Sequence, residues 1–122
     1  MTAGDRRKAY SFGRFSESLS CWRLRLTGYR VVHQGYRATT GEIDIIARRG
    51  QILTFVEVKA RRTFFDALHA LGPQQRRRIE RTALAFLGAN PELSNLDIRF
   101  DLMVHTPWRW PKHIKGAWIT GE

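Results

Sequence analysis

One cysteine, Cys21, stands in 122 residues, so the chain can close no internal disulfide and build no multi-thiolate zinc site. This usage fits a reducing compartment, and a lone Cys in a helical stretch reads as a small buried hydrophobe rather than a nucleophile. Long apolar runs are missing too. The longest, Ala83 to Leu87, falls far short of the ~18–20 residues of a membrane span. The basic start MTAGDRRKAYSFGR has no apolar segment of the kind a secretory signal needs. Acids are scarce: 11 Asp+Glu against 21 Lys+Arg, a net charge of +10. Seventeen of those bases are Arg, whose planar fork matches phosphate, so the expected partner is a polyanion.

With 43% hydrophobic and 26% charged residues the chain is globular, which excludes disordered and fibrous classes. No repeat or linker divides it, so residues 1–122 read as one domain, with 1–12 a disordered arm and 106–122 a tail packing on the core. Arg6 to Leu26 carries no proline and places Phe15, Leu19, Trp22 and Leu26 on one helical stripe. Tyr29–Gln34, Gly41–Arg48 and Ile52–Arg61 read as strands, with Arg49-Gly50 as the turn between the last two. A second helix spans Gln74 to Leu87 on an apolar side of Ile79, Ala83, Phe86 and Leu87. Leu96–His105 is a further strand, and His113–Ile119 forms one more short one. The order predicts an α/β domain, a mixed sheet with helices packed against it.

The hairpin carries the chemistry. With Arg49 and Gly50 at its tip, Glu42 faces Glu57 and Asp44 faces Phe55, and Glu42, Asp44, Glu57 and Lys59 share a face. Ile43, Ile45, Val56 and Val58 then form the core side. Asp44 and Glu57 become diagonal neighbours, roughly 7–8 Å apart. Carboxylates that close repel, and a hard divalent cation such as Mg2+ relieves the repulsion. Solvated charges on an exposed sheet face are the competing reading. Against it, three of only 11 acids converge on one strip of a basic chain.

Gly41-Glu42-Ile43-Asp44-Ile45-Ile46-Ala47, then Phe55-Val56-Glu57-Val58-Lys59-Ala60-Arg61, resembles the YraN-like family of small bacterial proteins. Within these strings D-x(n)-E-x-K is the signature of the PD-(D/E)XK nuclease superfamily. Glu17 with Leu24 and Gly28, Arg99-Phe100-Asp101, and His113-Ile114 with Ala117-Trp118 extend the match from about Gly13 to Trp118. The resemblance implies a restriction-endonuclease-like αβββαβ core, similar to archaeal Holliday-junction resolvases, a bacterial cytoplasmic address and, by analogy, a homodimer. It implies Mg2+ (with Mn2+ able to substitute) on Asp44, Glu57 and the Val58 carbonyl, Lys59 at the attacking water, and Glu17 from the first helix. Glu42 is an auxiliary acid. Two positions depart from the family: Gly35 stands where Asn is usual and Gln75 where Lys is usual.

Whether Glu17 reaches the site depends on which side of the first helix meets the sheet, since it lies opposite Phe15, Leu19, Trp22 and Leu26 and beside Leu24. Arg37, Arg61, Arg62, Arg76, Arg77, Arg78 and Arg81 are the expected nucleic-acid contacts, with a solvated helix face as the alternative for the Arg76–Arg78 run. The four histidines lack ligand spacing, and Trp108, Trp110 and Trp118 suit packing better than base stacking. The expected function is Mg2+-dependent phosphodiester hydrolysis on DNA. The alternative is a basic nucleic-acid-binding module that keeps the fold without turnover.

Overall fold

Helix α1 opens at Ala3 and runs to Leu26 in the computed structural model, which describes residues 2–121. Thr2 caps it: its hydroxyl accepts from the Asp5 N–H while the Asp5 carboxylate accepts from the Thr2 N–H, a capping box. The helix therefore runs through the segment expected to be an arm. Strands β1 (Arg30–Ala38), β2 (Gly41–Arg49) and β3 (Ile52–Ala60) follow, then a short helix α2 (Phe64–Leu68) and α3 (Pro73–Ala89). Strands β4 (Asp97–His105) and β5 (Lys112–Trp118) complete one sheet of order β1-β2-β3-β4-β5. Only β3 and β4 are parallel, because α2 and α3 carry the chain back between them. The mixed sheet with helices against it is the architecture expected. The five-residue α2 was not foreseen, and β1 reaches four residues further than predicted.

Both sheet faces are buried. Cys21 and Leu24 of α1 pack on Ile45, Ala47, Val56 and Met103, while Ile79, Ala83 and Phe86 of α3 pack on Ile43, Ile46, Leu53 and Phe55. This corrects the expected core side: Ile45 and Val56 face α1, Ile43 faces α3, and the Phe55 face is as apolar as the Val56 face.

The face α1 turns inward is not its most hydrophobic one. Phe15 and Trp22 are 57% exposed and Leu26 72%, while Ser16, Ser20, Cys21 and Leu24 are buried. The serines can be buried because their hydroxyls are satisfied: Ser20 Oγ donates to the Ser16 carbonyl (2.6 Å), and Ser16 Oγ lies 2.8 Å from the Phe12 carbonyl and 2.6 Å from His105 Nδ1 of β4. Small side chains let the helix lie close to the sheet. Glu17, one position from Ser16, therefore comes to the site side.

Trp118 stacks on Phe100 in the core and its indole N–H donates to Glu80, so it packs as expected, whereas Trp108 and Trp110, expected to pack as well, are exposed on the β4–β5 loop. Below the sheet, buried Asp101 accepts from Arg99 (two bonds, 2.8 Å each), from the Gly116 N–H (2.9 Å) and pairs with His113 Nε2 (2.7 Å). Arg99 in turn reaches the Tyr29 hydroxyl, tying β4 and β5 to the chain after α1. Those bonds hold the Asp101 carboxyl far below its ordinary value against the opposing effect of burial, the largest single influence on it.

Candidate active site

The hairpin turns at Gly50-Gln51, one residue later than the sequence suggested. Gly50 (φ 60°) takes the first loop position, where hairpin turns require positive φ. The ladder runs from Arg49 opposite Ile52 to Ile45 opposite Val56 and stops there, whereas β2 stays paired with β1 to the Ala38–Gly41 end. Two expected pairs are therefore corrected. Asp44 does not face Phe55, which pairs with Ile46, and Glu42 lies beyond the β2–β3 ladder, paired with Arg37 of β1.

Where β2 peels away, β3 is left with a backbone donor and no strand to receive it. Asp44 fills the gap: its Oδ2 accepts from the Val58 N–H at 2.8 Å. A residue's N–H and C=O point to the same side of an antiparallel strand, so the Val58 carbonyl faces this wedge as well. The same divergence breaks the pleat, which is why Ile43 joins the α3 core although Ile45, two residues on, joins the α1 core.

Three carboxyl groups meet at the wedge. Glu57, 6% exposed, and Glu17 from α1 each hydrogen-bond Asp44. Burial, then the hydrogen bond and charge of Asp44, push Glu57 up to about 10, with Lys59 opposing. Burial and then Asp44 raise Glu17 to about 7, with Glu42 adding and Arg14 opposing. At neutral pH the cluster therefore carries protons that bridge its oxygens. Glu17, Asp44, Glu57 and Val58 line a cleft of about 1150 Å³ together with Arg14 and Arg61. Glu42, the expected auxiliary acid, stands aside on the surface with its Oε2 3.3 Å from Arg37 Nε. Arg37, expected at nucleic acid, is that ion pair's other half.

Lys59 Nζ donates to Gln75 Oε1 (3.1 Å) at the start of α3. The family departure at Gln75 thus bears directly on the lysine: an amide here holds the ammonium that a second lysine would repel. Gly35 has φ 68°, a left-handed conformation that Asn also tolerates, so Gly and Asn are interchangeable there for the backbone. Arg61 and Arg62 are exposed at the cleft, Arg77, Arg78 and Arg81 are exposed on α3, and Arg76 is half-buried with its Nε unpartnered. Arg14 was missed by the sequence reading, although its place three residues before Glu17 on the helix signalled it.

The donor chemistry suits a hard divalent cation: two carboxylates and a backbone carbonyl at one wedge, all oxygen. Among the described residues no three His, Cys, Asp or Glu side chains are grouped so as to hold a metal ion, so a cation here would rest on two carboxylates and backbone or water oxygens. Proton sharing is what crowded carboxylates do when no cation neutralises them.

Residues 16–104 match the profile described as uncharacterised protein family UPF0102. The chain belongs to UPF0102. It is 47% identical over 115 residues to a UPF0102 protein of Methylocella silvestris, covering 94% of this chain and 93% of the relative. A UPF0102 protein of Mesorhizobium japonicum is 44% identical over 115 residues, 94% and 92% of the two chains. One from Paramagnetospirillum magneticum is 46% identical over 110 residues, 87% and 85%. The UPF0102 match spans Glu17, the Asp44 wedge, Lys59 and Gln75, while Arg14 lies two residues before it. Among the described residues no helix is long and apolar enough to cross a membrane.

Proposed function

We propose that this UPF0102 protein is a metal-dependent nuclease that hydrolyses phosphodiester bonds in DNA. The observation that carries the reading is the wedge, where Glu17 and Glu57 converge on Asp44 beside Lys59 in a chain of net charge +10. Crowding acids has a stability cost and repels phosphate, so a pure binder gains nothing from it. Asp44, Glu57 and the Val58 carbonyl would hold Mg2+ or Mn2+, which when bound supplies Lewis acidity and a more acidic water.

The chain's own residues do the rest. The Val58 N–H fixes the Asp44 carboxylate, so its orientation does not depend on the substrate. Lys59, drawn off Gln75, donates to a phosphate oxygen as negative charge builds on it. Arg61 and Arg62 at the cleft mouth hold flanking phosphates. Water's oxygen bonds to phosphorus, the P–O bond to the leaving oxygen breaks, and that oxygen takes a proton. Glu17, which is not among the ligands, is the acid placed to exchange protons there.

The competing reading, a non-catalytic basic module, draws on Lys59 being engaged with Gln75 and on carboxyl groups that hold protons rather than an open ligand set. Nicking of plasmid and branched DNA with Mg2+, Mn2+ or EDTA decides between them. Wild type should cut only with metal. Asp44→Asn should lose metal-dependent cutting while keeping affinity for DNA in EDTA, and Lys59→Ala should fall ~10²–10³-fold in rate. Equal residual nicking in all three proteins would mark a contaminant and leave the binding module as the better account.

A further inference from the structure

The carboxylate cleft shares a wall with a second one. Arg62 and Pro107 line both. The neighbour, about 1040 Å³, lies between the start of α2 and the β4–β5 loop and sets Phe64, Trp108 and Trp110 among Arg62, Arg109 and Lys112. No acid lines it. All three rings are exposed, Trp108 fully so at 101%. The Lys112 ammonium sits 5.2 Å from the centre of the Phe64 ring.

Folding does not account for Trp108. Among the described residues it is the one non-glycine with positive φ, at 65°, a conformation that bulky side chains disfavour. A strained backbone here holds the largest apolar side chain in water, where it adds nothing to the core. Trp118, by contrast, is buried and stacked. Aromatic faces among three cations are the two halves of a single-strand nucleic-acid site: rings for bases and cations for phosphates. A duplex keeps its base faces inside the stack and cannot use the rings.

We infer that this cleft binds an unpaired stretch of DNA, with bases stacked on Trp108 and Trp110 and phosphates held by Arg62, Arg109 and Lys112. The substrate is then DNA with a single-stranded arm beside the cleaved bond, a fork, flap or branch, rather than intact duplex. The identity of the adjoining cleft rests on the nuclease reading above.

The test is binding of the full chain in EDTA to labelled oligo-dT, a blunt duplex and a splayed fork. The fork should bind more tightly than the duplex. Trp108→Ala should weaken fork and oligo-dT binding roughly fivefold or more, the usual loss of one stacked base, and leave duplex binding level. Trp108→Phe should restore most of the affinity, and Trp22→Ala, which lines neither cleft, should change nothing. Trp108→Asn fits the left-handed backbone, so its melting temperature should hold or rise while single-strand affinity falls, which separates lost stacking from lost folding. Equal losses on fork and duplex overturn the inference, as does no loss on either, the outcome expected if the cleft holds a peptide. Binding in EDTA is independent of turnover. Fork preference that needs Trp108, without metal-dependent cutting, keeps the cleft and discards the nuclease; cutting indifferent to forks and to Trp108 does the reverse.

Discussion

Raising the pH of the metal-free protein from 7 to 9 should weaken its fold, and Asp44→Asn should reduce that weakening. Burial and Asp44 push Glu57 up to about 10, against an ordinary value of 4.5 that the unfolded chain recovers. Between those values the native state binds one proton more than the unfolded state, so the unfolding free energy falls as pH rises. The ceiling for one group is about 1.4 kcal/mol per pH unit. Half of that, allowing for water entry and the approach of Lys59, gives about 1.4 kcal/mol over two units, or roughly 4–8 °C in Tm for a domain of this size. Glu57 dominates the window, and its upper half isolates it. Glu17, raised to about 7, is half ionised at pH 7 and finishes ionising by about pH 8, so the slope from pH 8 to 9 belongs to Glu57. His105, held below 6.5 by burial, contributes stability lost only as pH falls through that value, and Asp101, held low, contributes stability lost only in stronger acid. Burial lifts Cys21 above 9.0, beyond the upper edge. The amide introduced by Asp44→Asn keeps an oxygen for the Val58 N–H but carries no charge, so Glu57 ionises more easily and the slope flattens. Mg2+ at pH 9 should restore the wild type by about 2.7 kcal/mol at a hundred times its Kd and leave the variant unmoved. Thermal melts in EDTA at pH 7, 8 and 9 measure this. A flat or rising wild-type Tm, or the same slope in Asp44→Asn, would refute the account of the wedge.

Two further outcomes follow from the packing and the charge. Leu24→Ala should cost about 2–5 kcal/mol and Leu26→Ala no more than ~0.5, because only the first lies against the sheet; urea titrations giving equal losses would mean that α1 packs on its other face. Replacing Arg76, Arg77 and Arg78 together by Ala should flatten the slope of log K against log salt by about 0.9 per phosphate contact removed; an unchanged slope returns the run to a solvated face.

The layout of the sheet was legible because strands betray themselves by alternation and turns by glycine. Placing the turn at Arg49-Gly50 instead of Gly50-Gln51 moved the register by two residues, a full pleat period, so side chains kept their faces and Asp44 stayed near Glu57. A one-residue error would have dispersed the site. The inward face of α1 was not legible from hydrophobicity, since Ser16 and Ser20 look polar in sequence and are buried with their hydroxyls satisfied, by the helix backbone and, for Ser16, by His105 of β4 as well. The short α2 offered too few residues for any periodicity to show. The exchange of Ile43 to the α3 side was beyond reach as well: alternation assumes an unbroken pleat, and the pleat breaks at Asp44.

That break explains why the site stands where it does. A sheet continued past Ile45 would have paired the Val58 N–H with β2 and left no room for a carboxylate between the strands. Divergence creates the space and the unmet donor together, and Asp44 answers both with one side chain. Its second consequence is electrostatic. An anion pinned by a backbone hydrogen bond cannot swing away when Glu17 and Glu57 approach, so the crowding must be relieved by protons or by a cation. The fold thereby stores a preference for positive charge at one point, beside a lysine and at the mouth of an arginine-lined cleft. Burial strengthens that preference, because Glu57 at 6% exposure has little water to stabilise its charged form. Replacing Asp44 by an apolar residue of similar size would remove the crowding but abandon the Val58 N–H inside the wedge, exchanging one buried defect for another. The hydrogen bond that looks like a structural repair is thus the same contact that keeps the acids together.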